Sequence, residues 1–291
     1  MKTTLDCIPC FIRQSLDTAR RVSADPSVHE RIVRDVLQWA AVIDFSQTPP
    51  HMAQRIHRRL REITGEQDPY QSAKDHQNRM ALKLLPSLRA KVADSSDTLL
   101  TALRLAIAGN IIDMGVNGEV TVAQLQASIH RALSEPLVGD DNSLRQVIDG
   151  ARRILYLTDN AGEIVLDRLF IEELGPKRVT VAVRGAPIIN DATLSDARAA
   201  GLDGIVPIID NGSDAPGTLM DDCSDTFKQH FAASDLILAK GQGNFETLSD
   251  ERAPIIFLFQ AKCPVIASHA QVSLGSHVLK CFHPETFNQN T

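Results

Sequence analysis

The sequence predicts an α/β fold: an N-terminal helical domain, residues 1–150, followed by a Rossmann-like domain, residues 151–291, built on a mostly parallel sheet. Two observations carry this reading. Up to about residue 150 the apolar residues recur every three or four positions, the spacing of one helix face. Beyond it the pattern becomes short apolar runs separated by amphipathic stretches, the alternation that buries a parallel sheet between covering helices. No linker rich in Gly, Ser or Pro separates the halves, so they are expected to share a continuous interface.

In the first half, Ile32, Val33, Val36, Leu37 and Ala40 fall on one helix face, and Met52, Ile56, Leu60 and Ile63 on another. Pro49 and Pro50 open the second of these, where a missing N–H has no partner to lose, and Gly65 closes it. Thr121 precedes a further helix through Leu125, Ile129 and Leu133. Pro86 interrupts the run from Ser72 to Val92 and is expected to end or kink that helix. In the second half, strands are expected at 154–157, 179–183, 205–209, 236–239, 255–259 and 265–267, with helices at 163–174 and 218–231 between them.

The chain has 291 residues and is 43% hydrophobic, ample for a core that needs no disulfides. Its 30 basic and 36 acidic residues give a net charge of −6 without long single-sign blocks, which argues against general nucleic-acid binding. MKTTLDCIPC lacks the apolar core of a secretory signal, and no apolar run approaches the roughly 18 residues of a membrane span, so a cytoplasmic location without membrane partners is expected. Five cysteines, an odd number, fit reduced thiols.

Ligands of open parallel sheets gather outside the carboxyl ends of the strands, where helix N-termini also point. Three such ends carry polar residues: Thr158, Asp159, Asn160, Gly162 and Glu163 after the first strand, Arg184 with Asn190 and Asp191 after the second, and Lys240, Gly241, Gln242, Gly243 and Asn244 after the fourth. Asp159, Asn160 and Asp191 offer an all-oxygen ligand set suited to Mg²⁺ or Mn²⁺, hard ions that take further oxygens from phosphate. The plainer alternative is that Asp159 or Asn160 caps the next helix, with Glu163 as its capping-box partner. Lys240 beside glycines and a helix start has the makings of a phosphate cradle. It is neither a Walker loop nor a dinucleotide fingerprint, because both spacings are absent. In the helical half, Lys74 and Asn78 share a helix face, as Asn110 and Asp113 would if their helix continued. Taken alone, Lys74 reads as solvated and Asn110 as a helix-ending polar residue.

Cys7 and Cys10 stand one turn apart at a helix start, which favours a lowered thiol pKa for redox exchange or metal ligation. Zinc would need four ligands, and Cys223, Cys263, Cys281, His269, His277 and His283 show no finger spacing. Packing of small thiols is an equal alternative. Arg55, His57, Arg58, Arg59 and Arg61 read as a solvated helix face.

Several strings occur together and in order: CIPC at 7–10, DPY at 68–70 with Lys74 and Asn78, GNIID at 109–113, LTDNAGE at 157–163, INDAT at 189–193, DAPGT at 214–218 and KGQGNFETL at 240–248. In this the chain resembles the DUF89 family of metal-dependent damage-control phosphatases, in particular its smaller bacterial and archaeal branch with an N-terminal CxxC. The resemblance implies a helical portion joined to a three-layer α/β/α Rossmann-like domain, and a metal at Asp159, Asn160 and Asp191. It also implies a phosphate contact from Lys240 and a substrate cleft lined by Asn110 and Asp113. Arg184, Glu163, Lys74, Asn78, Gly241, Gly243 and Asn244 join the expected substrate site. The implied cofactor is a divalent ion, Mn²⁺, Co²⁺, Ni²⁺ or Mg²⁺, and the implied partner a small phosphorylated metabolite such as a sugar phosphate or damaged cofactor derivative.

Phosphate monoesters hydrolyse very slowly in water, so catalysis must neutralise phosphoryl charge and align a water. The expected site does this with the metal, assisted by Lys240 and Arg184. Asp159 and Asp191 are the two candidates to accept the water's proton. Direct attack by water is favoured over an aspartyl-phosphate route, because Ala161 stands where dehalogenase-type hydrolases place a second Asp. Two other classes compete: a non-catalytic sensor of phosphorylated ligands using the same cleft, and an S-adenosylmethionine-dependent methyltransferase, which lacks its expected Gly-rich first loop here.

Overall fold

The computed structural model of the chain describes residues 1–114, 120–139 and 141–281, so His283 lies outside the described residues. Three helices, α1 (Cys7–Val22), α2 (Pro26–Ala41) and α3 (Pro49–Thr64), pack around an apolar core of their own that includes Phe11, Ile32, Val36, Ile56 and Leu60. Their ends obey local chemistry. Asp25 caps α2 by accepting from the Ser27 amide at 2.8 Å, Pro49 occupies the first turn of α3, and Gly65 closes α3 with φ 74°.

Helices α4 (Gln71–Ala93), α5 (Thr98–Gly109), α6 (Val122–Ser134) and α7 (Asp141–Gly150) follow. Thr121 and Gln124 form a reciprocal capping box at the start of α6. The break expected at Pro86 does not occur: α4 runs through it, and the buried Leu85 and Leu88 on either side anchor both halves of the helix in the core. Tertiary packing there outweighs the one hydrogen bond that proline removes.

Six strands, β1 (Ile154–Leu157), β2 (Val179–Val183), β3 (Ile208–Asp210), β4 (Leu236–Lys240), β5 (Ile255–Gln260) and β6 (His277–Cys281), form one sheet in the order β3-β2-β1-β4-β5-β6. The first five are parallel and β6 pairs antiparallel with β5. The remaining helices are α8 (Glu163–Leu174), α9 (Leu194–Ala199), α10 (Asp225–Ala233), α11 (Gly241–Leu248) and α12 (Pro264–Ala270). Alternate strand residues face opposite ways, as the pleat requires. Tyr156, Val181 and Leu238 join a core with α4, α5 and α8, whereas Leu155, Leu157, Ile237 and Phe257 join one with Phe227 of α10 and Phe245 of α11.

Three expectations are corrected. Residues 265–267 belong to α12 rather than a strand, because Pro264 takes the first helical turn and the Cys263 thiol accepts from the Ile266 amide at 3.5 Å. The sixth strand is instead 277–281. The third strand begins at Ile208, not 205, and the helix expected from 218 begins at Asp225, where Ser224 caps it through the Phe227 amide at 3.2 Å. Strand order reverses direction between β1 and β4, which opens a crevice at their carboxyl ends.

The arginines of α3 are more than a solvated face: Arg55 and Arg58 are exposed as expected, but the row is paired. Arg58 pairs with Asp214 at 2.6 Å, Arg61 pairs with the same carboxylate, and Gln54 donates to it at 2.7 Å. Arg55 lies 4.1 Å over the Trp39 ring, and His57 is buried, which pushes its imidazole down to about 3. This network fastens the three N-terminal helices to the loop after β3, and so over the crevice.

Candidate functional site

The main chain assembles the centre of the site. Ala192 N donates to Asp159 O at 2.7 Å and Ala161 N to Asn190 O at 2.8 Å, so Asn160 and Asp191, remote in sequence, face each other as an antiparallel bridge. All three expected ligand residues, Asp159, Asn160 and Asp191, are buried there. Asp159 Oδ2 accepts from Asn160 Nδ2 at 2.7 Å and from Asn110 Nδ2 at 2.9 Å. Asp191 Oδ2 accepts from Arg184 Nε at 2.6 Å. Arg184 Nη2 lies 3.8 Å from Asp159 Oδ1 and has no hydrogen-bond partner among the described residues, although it is buried.

Two glycines permit this approach. Gly241, with φ 79°, passes so close to Asp159 that a Cβ would lie 2.0 Å from Oδ2. Gly162, with φ 75°, rests on α4, where a Cβ would lie 3.0 Å from that of Gln77. The plain capping role is not what the strand-end pair performs. The residue before α8 is Gly162, no side chain caps that helix, and Asn160 instead donates to Glu163 Oε2 at 3.0 Å.

A cavity of about 130 Å³ opens over these residues. Asp113, Asp159, Asn160 and Asp191 form one side; Phe11 of α1 with Pro49, Pro50 and Ala53 of α3 form an apolar side; Gln242, Gly243 and Glu246 of α11 form a third. Four carboxylates line it and, among the described residues, no Lys, Arg or His does. Burial first, then the nearby Glu163 and Asp191, pushes Asp159 well above the usual carboxylate range. Burial pushes Asp191 up to about 6 despite Arg184, and pushes Glu246 up to about 7. Such shifts mark charge that its surroundings do not balance.

The donor set fits a hard divalent ion. Asp159 and Asp191 are carboxylates, and Asn160, whose NH₂ is engaged by Asp159 and Glu163, has its carbonyl oxygen to offer. Among the described residues no group of three His, Cys, Asp or Glu is arranged to hold a metal, as expected where one of three candidates is an asparagine.

Other expected residues are placed differently. Lys240 is fully buried outside the cavity lining, 2.6 Å from Glu163 Oε1, 2.5 Å from Asp167 Oδ1 and 2.9 Å from Ala106 O. Burial disfavours its charge, yet Asp167 and Glu163 hold its ammonium above the usual lysine value. Glu163 is correspondingly tied to Lys240, Asn110 and Asn160, and lies outside the lining too. Asn110 is buried behind Asp159, accepting from Gln260 N at 3.1 Å, whereas Asp113 lines the cavity and pairs with Lys262 at 2.7 Å. The helix they were to share ends at Gly109, which sends the two side chains to different places.

Lys74 is not solvated: it is fully buried between Asp68 at 2.7 Å and Asp196 at 3.4 Å. Asn78 donates to Asp196 at 2.9 Å and accepts from the Gly162 amide at 2.6 Å. Together they pin α4 to α9 and to the turn after β1. Asn244 accepts from Arg184 at 3.2 Å and donates to Thr158 O at 3.1 Å, tying three strand ends together, and Gly243 lies in the cavity wall.

Residues that sequence reasoning missed are Glu246 and Lys262, while Gln242 was placed at the fourth strand end without a role. Their one sequence signal was proximity to the fourth and fifth strand ends. Cys10, whose helix-start position favoured a lowered thiol pKa, lines the cavity, and desolvation raises that pKa instead. Loss of hydration there outweighs the field of the helix start.

A damage-control phosphatase ARMT1-like domain matches residues 3–278. The chain is 37% identical over 288 residues to a protein of Archaeoglobus fulgidus named damage-control phosphatase, covering 96% of this chain and 99% of that one. It is 32% identical over 284 residues to a damage-control phosphatase of Pyrococcus horikoshii, covering 96% and 97%. The crystal structure of a DUF89 family protein from Pyrococcus horikoshii superposes with a TM-score of 0.86 at 31% identity, covering 96% of this chain and 98% of that chain.

Proposed function

We propose that this chain, which belongs to the damage-control phosphatase ARMT1-like (DUF89) family, hydrolyses phosphate monoesters of small metabolites with a divalent ion held by Asp159, Asn160 and Asp191. The observation that carries the reading is the charge of the cavity: among the described residues, four carboxylates line it and no basic side chain does. A phosphate monoester is itself an anion, and such a wall repels it until a cation occupies the strand ends. A volume of about 130 Å³ is below the roughly 300–1,000 Å³ of drug-sized ligand pockets and suits a small metabolite such as a sugar phosphate or damaged cofactor derivative.

When bound, a divalent ion supplies positive charge to the phosphoryl oxygens and acidifies a water. The chain's own residues do the rest. Asn110 and Asn160 hold Asp159 through its Oδ2, and Arg184 holds Asp191 through its own Nε. The Arg184 Nη2, buried behind the lining and without a hydrogen-bond partner among the described residues, adds positive charge beside Asp159 without reaching the cavity itself. Asp113 lines the cavity outside the ligand set, with its Oδ2 held by the Lys262 ammonium, and is the carboxylate we assign to orient the attacking water. Lys240 pairs with Glu163 and Asp167 next to the centre and ties that framework together. Ala161, two residues after Asp159, cannot serve as the second acid of an aspartyl-phosphate route, which favours direct attack by water.

The test is turnover of p-nitrophenyl phosphate and a panel of sugar phosphates after chelation, with Mn²⁺, Co²⁺, Ni²⁺ or Mg²⁺ added back. Metal-restored hydrolysis is expected. Its absence on every substrate overturns the proposal.

A further inference from the structure

Glu246 is the cavity carboxylate that the proposed chemistry leaves unused. It stands on α11 one turn after Gln242, and both side chains line the cavity. The Gln242 amide is held at both ends: its Oε1 accepts from Lys262 N at 3.2 Å and its Nε2 donates to Glu246 Oε1 at 3.2 Å. Gln242 therefore orients the carboxylate, and Glu246 Oε2 has no hydrogen-bond partner among the described residues. The Met1 ammonium does not bond it either, being engaged by the Glu246 main-chain oxygen at 2.6 Å and Ser249 Oγ at 3.1 Å. A cation at Asp159, Asn160 and Asp191 answers the charge of the strand ends. Glu246 is outside that set, so once ionised, as it is above its raised pKa of about 7, it leaves the α11 side of the cavity negative.

We infer that Glu246, oriented by Gln242, determines specificity: it accepts a hydroxyl from the alcohol part of the phosphoester and turns away esters whose alcohol part carries its own negative charge. A hydroxyl donates to the open carboxylate oxygen, whereas a second carboxylate meets like charge in a partly desolvated cavity. The apolar surface of Phe11, Pro49, Pro50 and Ala53 offers such an anion no compensating donor side chain. The inference rests on the phosphatase reading.

The experiment is steady-state kinetics of the metal-loaded full chain at about pH 9, where a carboxyl raised by burial is ionised. Three phosphomonoesters are compared: a hexose phosphate, p-nitrophenyl phosphate, which has no hydroxyl, and a phosphoglycerate, which has a carboxylate. Glu246→Gln keeps the shape and an oxygen for Gln242 but removes the charge. It is expected to lower the hexose phosphate to p-nitrophenyl phosphate ratio of kcat/KM about tenfold, mainly through KM, and to raise the phosphoglycerate ratio about tenfold. Gln242→Ala leaves the charge but not its orientation, and is expected to lower the hexose ratio while phosphoglycerate stays disfavoured. If Glu246→Gln loses all turnover, the hexose ratio of Gln242→Ala decides, and an unchanged value overturns the inference. Wild-type turnover with both ratios unmoved in Glu246→Gln overturns this inference alone. No wild-type turnover on any substrate overturns the phosphatase reading and this inference with it.

Discussion

Two groups of buried acidic residues meet at the start of α8, built from the same residue types but paired differently with their cations. Glu163 and Asp167 enclose the Lys240 ammonium, and Tyr156 donates to Asp167 at 2.9 Å. Asp159 and Asp191, beside them, border an open cavity together with Asp113; Arg184 pairs with Asp191 at 2.6 Å and Lys262 with Asp113 at 2.7 Å, which leaves Asp159 as the one of the three without a cation in contact among the described residues. Asp159 has two amide donors as its close partners, and its nearest cation, Arg184, is 3.8 Å away. A buried carboxylate with its counter-charge in contact is framework. Asp159, without one in contact, is the carboxylate of this group best placed to take an added cation. The contrast explains why the lysine of the KGQGN string, expected at a substrate phosphate, lies instead in the framework group.

The comparison breaks most visibly at Lys240. Lys240→Met strands Glu163 and Asp167 in the core, and unfolding in urea should show a loss of about 3–5 kcal/mol. A variant of wild-type stability that loses only substrate affinity would return Lys240 to the phosphate. Asp159→Asn should act in the other sense. Metal-restored hydrolysis should fall by about a hundredfold or more, while the melting temperature without metal holds or rises, because a like charge leaves a crowded site. A fall in both would make Asp159 a framework residue.

Asn110→Ala sharpens the boundary between the groups, since this amide bridges Asp159 and Glu163. A roughly tenfold to hundredfold loss of metal affinity, read as the midpoint of a Mn²⁺ activation titration, is expected of a residue that orients a ligand. An unshifted midpoint would remove Asn110 from the site.

The smallest effect is one of pH. Burial raises Asp167 to about 7 even against Lys240. A carboxyl whose folded-state pKa lies above its unfolded value favours folding below the unfolded pKa, and that contribution is lost as pH rises through the folded one. The stability of the wild type relative to Asp167→Asn should therefore decline from about pH 5 to about pH 8. A flat or rising difference would mean that Asp167 stays ionised throughout.

Legibility in the sequence followed the range of the interactions involved. Strands β1, β2, β4 and β5 were plain because buried parallel strands are continuous apolar runs, and the positions after them follow from topology. The convergence of Asp159, Asn160 and Asp191 could be anticipated on that ground. Pro86 could not be judged locally, because Leu85 and Leu88 hold its helix together through the core. Residues 265–267 look like a strand by composition, and Pro264 with Cys263 makes them a helix start. Lys74 and the α3 arginines read as solvated because their partners, Asp196 and Asp214, are remote in sequence.

What the sequence determined by itself was the alternation that makes an α/β sheet and the residues standing at its strand ends, since both depend on local period and order. Where each side chain at those ends points, and which carboxylates keep a counter-charge, was decided by tertiary structure. Burial and pairing depend on elements that meet only in the folded chain. α5 brings Asn110 to Asp159, α8 brings Glu163 and Asp167 to Lys240, and α1 and α3 close the cavity over the strand ends.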